Sequence, residues 1–332
     1  MINVGIIGLG VGKHHLNAII DNPLCNLTHV CDFDKKLLRK YKKKYPKIIF
    51  TDDENVLINN SDIEVVSIAS YDYYHYEQII KSLKNKKNVF VEKPICLNKK
   101  ELQNIFNILK LNSDLKISSN LVLRTEPDFI KLKNQISKNK FGKIFYGEAD
   151  YYWGRIDKFY GWRSKFKYSI ILGAAIHMID LLIWMIGELP YKVSSFANSI
   201  STKSRKFDHN SFVVIILEFK NGLIFKITGN GGCAHPHFHG IKIFSDKQTY
   251  IHNLTSTIKV TRSSKNNLNL SKINSTYPSK QDRKNVINSF IKNLYKNKNN
   301  EIVTKKDIYI LMTVCFAAEE SLIKSKSQII KY

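Results

Sequence analysis

Lys93 stands directly after an apolar run, in Val91-Glu92-Lys93-Pro94. An amine at the carboxyl end of a strand, where open α/β sheets bind ligands, is suited to exchange a proton with a substrate hydroxyl. His177 and Asp180 form a second candidate pair. They are three residues apart in Ile176-His177-Met178-Ile179-Asp180-Leu181, so on a helix they share a face, and the carboxylate there would fix the imidazole tautomer and raise its basicity. Trp162-Arg163, with Arg155 shortly before, joins a flat apolar ring to a fixed guanidinium and suits a sugar face bearing a carboxylate or phosphate. Cys233-Ala234-His235-Pro236-His237-Phe238-His239 invites a metal reading. Pro236 interrupts the strand geometry that would align those histidines, and no acidic or distant ligand set is evident. No metal is expected, and His237 is read as part of a substrate-facing loop.

The elements that must position these groups follow from hydrophobic rhythm. Over the first 120 residues short apolar runs (Asn3–Ile7, Leu27–Cys31, Lys47–Phe50, Val65–Ala69, Asn88–Val91, Lys116–Ser119) alternate with helical periodicity in Asp34–Tyr45, Tyr74–Asn85 and Lys99–Leu111. That alternation predicts a doubly wound parallel sheet with helices on both faces. The first strand runs into Gly8-Leu9-Gly10-Val11-Gly12, where bare backbone N–H groups can approach a pyrophosphate at a helix N-terminus. Asp32 ends the second strand about twenty residues later, the position from which a carboxylate accepts ribose hydroxyls and repels a 2′-phosphate. NAD is therefore expected over NADP, with Lys35 or Lys36 as the cations that would argue the other way. Near a cationic nicotinamide the pKa of Lys93 is expected to fall.

After Asn120 the rhythm changes to a helix over Pro127–Ser137, a strongly apolar helix over Ile170–Ile186, and several long β segments. Phe212–Lys220 and Leu223–Thr228 read as a hairpin about Asn221-Gly222, a dipeptide that tolerates positive φ at both turn positions. An α/β domain with a mainly antiparallel open sheet is expected, closed by helices over Asp282–Leu294 and Asp307–Ile323, with Ser263–Ser275 as a mobile loop. The predicted division is a Rossmann domain over 1–120 that binds NAD and a domain over 121–332 for substrate and oligomerisation.

Taken in order, Glu92-Lys93-Pro94, Ile68-Ala69-Ser70 followed by His75, Asn120 with Arg124 and Pro127, and His177 with Asp180 make the chain resemble the Gfo/Idh/MocA family over essentially its full length. The resemblance implies Ser70, His75, Glu92 and Asn120 beside the cofactor, Arg124 near the substrate, and a homodimer or homotetramer built on the open sheet. The chain departs from the family pattern at two places. Lys13 stands where the common fingerprint has its third glycine, and Gly173 stands where family dehydrogenases usually place an Asp four residues before the helix histidine.

Composition bounds the alternatives. The 332 residues include 52 Lys and Arg against 28 Asp and Glu, a formal net charge of +24. The excess is mostly lysine spread through every segment, without a basic tail or an aromatic-basic module, so nucleic acid is not the expected partner. No apolar run approaches the roughly 20 residues of a membrane span, and neither a leader nor a disulfide framework is expected, which places the protein in the cytoplasm. The expected function is hydride transfer between NAD and a carbinol carbon of a sugar, polyol or nucleotide sugar, with Lys93 and His177 handling the hydroxyl proton. The alternative is a dinucleotide- or sugar-sensing regulator of the same fold without turnover.

Overall fold

The structure, a computed structural model, describes residues 1–203, 207–261, 269–272, 277–296, 298 and 301–332. They divide into two compact units, Met1–Thr125 with Gln281–Ile310, and Glu126–Lys280 with Leu311–Tyr332.

In the first unit, β1 (Ile2–Ile7), β2 (Cys25–Cys31), β3 (Ile49–Thr51), β4 (Val65–Ile68), β5 (Asn88–Val91) and β6 (Ile117–Ser119) form one sheet in the order β3-β2-β1-β4-β5-β6. Every pairing is parallel. Strands covered on both faces need continuous apolar runs, and Val65, Val66, Ile68, Val89, Phe90 and Val91 are all fully buried. The crossovers are α1 (Lys13–Ile20), α2 (Lys35–Lys44), α3 (Glu54–Ile58), α4 (His75–Lys84) and α5 (Lys99–Leu111). Short polar side chains start three of them: Asp34 accepts from the Lys36 and Leu37 amides, Asp53 from Asn55, and Asn98 from Glu101.

This unit is not a contiguous stretch of chain. Helix Lys284–Tyr295 (α8 in chain order), expected with the second half, belongs here: Phe290 meets Phe90 with ring centroids 5.9 Å apart, and Val286, Ile287 and Ile291 are buried beside it. The expected boundary after residue 120 therefore omits the segment 281–310, which fills a face of the same core.

In the second unit, β7 (Ile144–Tyr152), β8 (Lys192–Asn198), β9 (Phe212–Glu218), β10 (Ile224–Asn230), β11 (Phe238–Ser245), β12 (Gln248–His252), β13 (Ser256–Thr261), β14 (Asn269–Lys272) and β15 (Gln328–Ile329) form a sheet ordered β14-β13-β12-β11-β7-β10-β9-β8-β15. Only β7 and β10 pair in parallel. Helices α6 (Pro127–Ser137) and α7 (Ile176–Ile186) pack together, and α7 lies against β7 and β10. The apolar stretch expected as one helix enters α7 through a π-helical turn, Ile171–Ala175. The last helix, α9 (Lys305–Lys324), contributes its start to the first unit and its remainder to the second.

The β9–β10 hairpin differs from expectation at its tip. Positive φ occurs only at Gly222, whose amide donates to the Phe219 carbonyl, so the connection is a turn followed by a bulge glycine; Asn221 instead spends its side chain on the Leu223 amide and Glu188. Apart from Asn269–Lys272, the span Ser263–Ser275 lies outside the described residues. Among the described residues no helix is long and apolar enough to cross a membrane.

Candidate active site

The glycine loop is a backbone construction. Gly8 has φ +92°, and a Cβ there would lie 2.5 Å from the Ala69 carbonyl oxygen; a Cβ on Gly12 would lie 1.8 Å from that of Gly8. The close approach usually assigned to a third glycine is thus made by Gly12, which accounts for Lys13 at the next position. Gly10 has nothing within 4 Å of where its Cβ would be, so bare backbone faces open space, with the exposed Val11 beside it. No side chain caps α1, although the His14 amide already donates to the Val11 carbonyl at 3.0 Å. Asp32 ties the next strand end to this loop, one oxygen accepting the Leu9 amide at 2.6 Å and the other the Asp34 amide at 2.8 Å. Each oxygen keeps a second lone pair. Lys35 is engaged elsewhere, 2.9 Å from Asp52.

Around Glu92, four strand or helix ends meet through side chains. His15 of α1 is buried, with Nδ1 2.8 Å from the Ser67 hydroxyl and Nε2 3.1 Å from Glu92 Oε1; Asn120 donates to the same oxygen at 2.7 Å. Burial alone would raise the Glu92 carboxyl, but the hydrogen bond and charge of His15, the Asn120 amide and the Lys93 charge outweigh it and hold the group below its ordinary range. Glu92 is therefore a fixed anion adjoining Lys93. His75 is fully buried between two loops, with Nδ1 2.7 Å from the Pro94 carbonyl and Nε2 3.2 Å from that of Ser70, one ring N–H donating to one of them. Ser70 donates its hydroxyl to Gln78 at 2.6 Å.

Sequence reasoning passed over two features here. His15 follows His14 in an ordinary helix start, and its inward face becomes evident only when Ser67, Glu92 and Asn120 arrive from three separate strands. Phe33, 68% exposed, lies 5.6 Å from the Tyr71 ring beside Asp32. An exposed ring beside a half-buried one at the carboxyl edge of a parallel sheet suits a purine.

In the second unit the groups are rings. His177 is half-buried and stacks on Tyr151 of β7, centroids 5.3 Å apart and planes 7° from parallel. His237 and His239 meet the same tyrosine edge-on at 5.3 and 5.0 Å, and His239 Nδ1 lies 2.7 Å from the Tyr277 hydroxyl. Burial, aided by Glu126, pushes the Tyr277 phenol well above its ordinary pKa, so it stays protonated. Tyr151 and Tyr277 were not singled out from the sequence, and His239 only within the run of alternating histidines weighed for a metal. Among the described residues no group of three or more His, Cys, Asp or Glu is placed to hold a metal ion.

Gly173 has a steric cause. A Cβ there would lie 1.8 Å from the Tyr168 hydroxyl, so this tyrosine occupies the space a side chain at 173 would need. From Ile170 to Leu182 only Gly173 and His177 are less than buried, one turn apart; Asp180 is buried on the same helix. Trp162 and Arg163 sit in the turn Trp162–Ser164, with the guanidinium 4.3 Å over the indole. Arg124, expected near the substrate, is placed in the frame of the first unit. Its guanidinium is buried, donates to the Ile302 carbonyl at 3.1 Å and pairs with Asp307 at 3.1 Å, holding segments of the first unit together.

Residues 2–118 fit the family model described as an oxidoreductase family with an NAD-binding Rossmann fold, and residues 129–251 fit the GFO/IDH/MocA C-terminal domain. The chain is 25% identical over 228 residues to the inositol 2-dehydrogenase/D-chiro-inositol 3-dehydrogenase of Lactiplantibacillus plantarum, a stretch covering 66% of this chain and 62% of that one. With the myo-inositol 2-dehydrogenase of Thermotoga maritima it shares 25% over 255 residues, 74% of this chain and 73% of the other. The fold is that of the scyllo-inositol dehydrogenase of Lactobacillus casei solved with NAD(H) and scyllo-inositol, at TM-score 0.82 and 20% identity over 99% of both chains. With a glycine loop, an acidic strand end and a Glu-Lys-Pro strand end in one sheet, and both halves matched in order, the chain belongs to the Gfo/Idh/MocA family of oxidoreductases and carries its NAD-binding Rossmann fold.

Proposed function

We propose that the protein catalyses reversible, NAD-dependent oxidation of a secondary hydroxyl on a sugar or polyol, free or as a nucleotide sugar. The observation that carries this reading is the backbone cradle at Gly8, Gly10 and Gly12, tied to the buried Asp32, in the same sheet as Lys93 beside its fixed anion Glu92. The first unit fits the dinucleotide: Gly10 leaves room for the pyrophosphate, Asp32 keeps lone pairs for the ribose, and Phe33 with Tyr71 offers a face to the adenine. When bound, NAD supplies the acceptor for the hydride. Lys93 takes the hydroxyl proton at Nζ. In the second unit His177, with Asp180 on the same helix, His237 and Trp162 are the residues read as substrate contacts. The relatives named for inositol support a polyol. A homodimer or homotetramer would use the outer sheet face, where Phe196, Val214, Ile216 and Ile224 are at least partly exposed.

The test is a panel of polyols, sugars and nucleotide sugars read by NADH absorbance, with NAD binding measured in parallel by calorimetry. Turnover of at least one member is expected. Tight NAD binding with no turnover across the panel would favour the sensing alternative.

A further inference from the structure

Some cations of the second unit have carboxylates beside them. On the sheet, Glu148 accepts from Lys226 at 2.9 Å and from Lys242 at 3.1 Å. The segment between β7 and the π-helical turn is different. From Gly154 to Tyr168 it holds Arg155, Lys158, Arg163, Lys165 and Lys167 against one acid, Asp157. Among the described residues no carboxylate lies within ion-pair distance of Arg155, Lys158 or Arg163, and Asp157 makes no ion pair either.

Arg163 is also held in place. Its Cζ lies 4.3 Å from the Trp162 ring centroid, 5.3 Å from that of Trp153 and 5.9 Å from that of Tyr168. Trp153 and Tyr168 are in turn seated on the fully buried Phe159. Rings on a guanidinium fix its plane and leave its N–H edge for hydrogen bonds, yet Nε is shielded from solvent with no partner among the described residues, and Nη1 makes only a 3.5 Å contact to the Lys158 carbonyl. An unmet charged donor destabilises a structure unless something supplies the acceptor. Burial, then the charges of Arg155 and Arg163, push the Lys158 ammonium below its ordinary pKa with no acid offsetting them. The three cations thus repel one another in the free protein, and an anion among them would relieve that.

We propose that Arg163, with Arg155 and Lys158, is a recognition site for an oxyanion on the substrate, a carboxylate or a phosphate, so that the enzyme acts on an acidic sugar or polyol derivative rather than a neutral polyol. The site adjoins the helix that carries His177: Tyr168 has its ring against Arg163 and its hydroxyl over Gly173, one turn before His177. This inference rests on the dehydrogenase reading and names its substrate class.

Two of the chain's three tryptophans flank Arg163, so intrinsic fluorescence reads the site without turnover. Titration of the full-length protein with inorganic phosphate should give a saturable change that Arg163→Met abolishes and Lys158→Gln weakens about tenfold, as expected for loss of a charge-assisted hydrogen bond. In turnover assays, kcat/KM for an aldonate or a hexose phosphate should exceed that for the matching neutral polyol by about tenfold or more, and whichever arm is larger identifies the oxyanion. The preference should collapse through KM in Arg163→Met, return partly in Arg163→Lys and shrink in Lys158→Gln. Equal kcat/KM for acidic and neutral substrates, or a phosphate response unchanged in both variants, would overturn the site. If nothing in the panel is turned over, the dehydrogenase reading fails, while the phosphate titration still decides whether the anion site exists.

Discussion

The two units solve the same problem, holding polar groups still, with different materials. In the first, the candidate site is mostly backbone: glycines whose missing Cβ atoms let carbonyls and amides approach, one carboxylate clamping two amides, and one imidazole set between two carbonyls. In the second it is side chains on side chains, with His177, His237 and His239 gathered on Tyr151. A backbone frame tolerates little change but leaves its projecting side chains replaceable. A frame of rings is coupled to every group it touches.

The largest effect is expected where the backbone frame presents a single reactive group. Lys93→Met should lower turnover by about 10² to 10⁴ while leaving the fold and NAD affinity in place, because proton transfer from a positioned group contributes that much. Steady-state rates with calorimetric NAD binding check it, and unchanged turnover would remove Lys93 from the chemistry.

Next is pH, which should strike the ring frame. His252 is buried among Phe129, Phe238 and Tyr277, with Nδ1 3.1 Å from the Thr257 hydroxyl, and burial lowers its pKa from 6.5 to about 4. Between those values the unfolded chain binds the extra proton, so the stability contribution is full above pH 6.5 and is lost as pH falls towards 4. The loss over that window is roughly 3 kcal/mol. Denaturant unfolding should show this slope in the wild type and a shallower one in His252→Gln; identical slopes would show that the imidazole is not responsible.

A matched pair of substitutions tests the contrast itself. Alanine at Gly12 or at Gly173 puts a Cβ 1.8 Å from an oxygen, a backbone carbonyl in the first case and the Tyr168 hydroxyl in the second. Each should destabilise by about 1–3 kcal/mol. Tyr168→Leu should restore much of what Gly173→Ala loses, whereas no side-chain replacement can relieve Gly12→Ala. A double-mutant cycle with no coupling between 168 and 173 would break the comparison. The smallest effect belongs to Asp32→Asn, which should weaken NAD by about tenfold and narrow its advantage over NADP, read by titrating both.

These materials also decide what a sequence discloses. Val65–Ile68 and Asn88–Val91 announce doubly covered strands because such strands must be apolar throughout, and Gly8 to Gly12 with Asp32 announce a dinucleotide site because its parts are near in sequence. The network beneath Lys93 joins α1, β4, β5 and the residue after β6, so His15 looks like any helical histidine until the sheet is assembled. Tyr151 is one more residue on a strand until α7 and the 233–239 segment reach it. The turn at Asn221-Gly222 was legible as a turn but not in its type, since Asn221 had a better use for its side chain. The affiliation of α8 was hidden for a plainer reason: an apolar stripe of Val286, Ile287, Phe290 and Ile291 specifies a buried face, not which sheet buries it.

That helix also sets a timetable for biosynthesis. The face of Phe90 that receives Phe290 stays open to water until residues 281–310 leave the ribosome, after nearly all of the second unit's sequence has been made. At roughly 5–20 residues per second, synthesis of the intervening 126–280 takes on the order of ten seconds or more, during which the oldest part of the chain waits with an unfinished core. A fragment ending near Thr125 would never pass that stage, and should need the missing helix supplied in trans to become a soluble nucleotide-binding module.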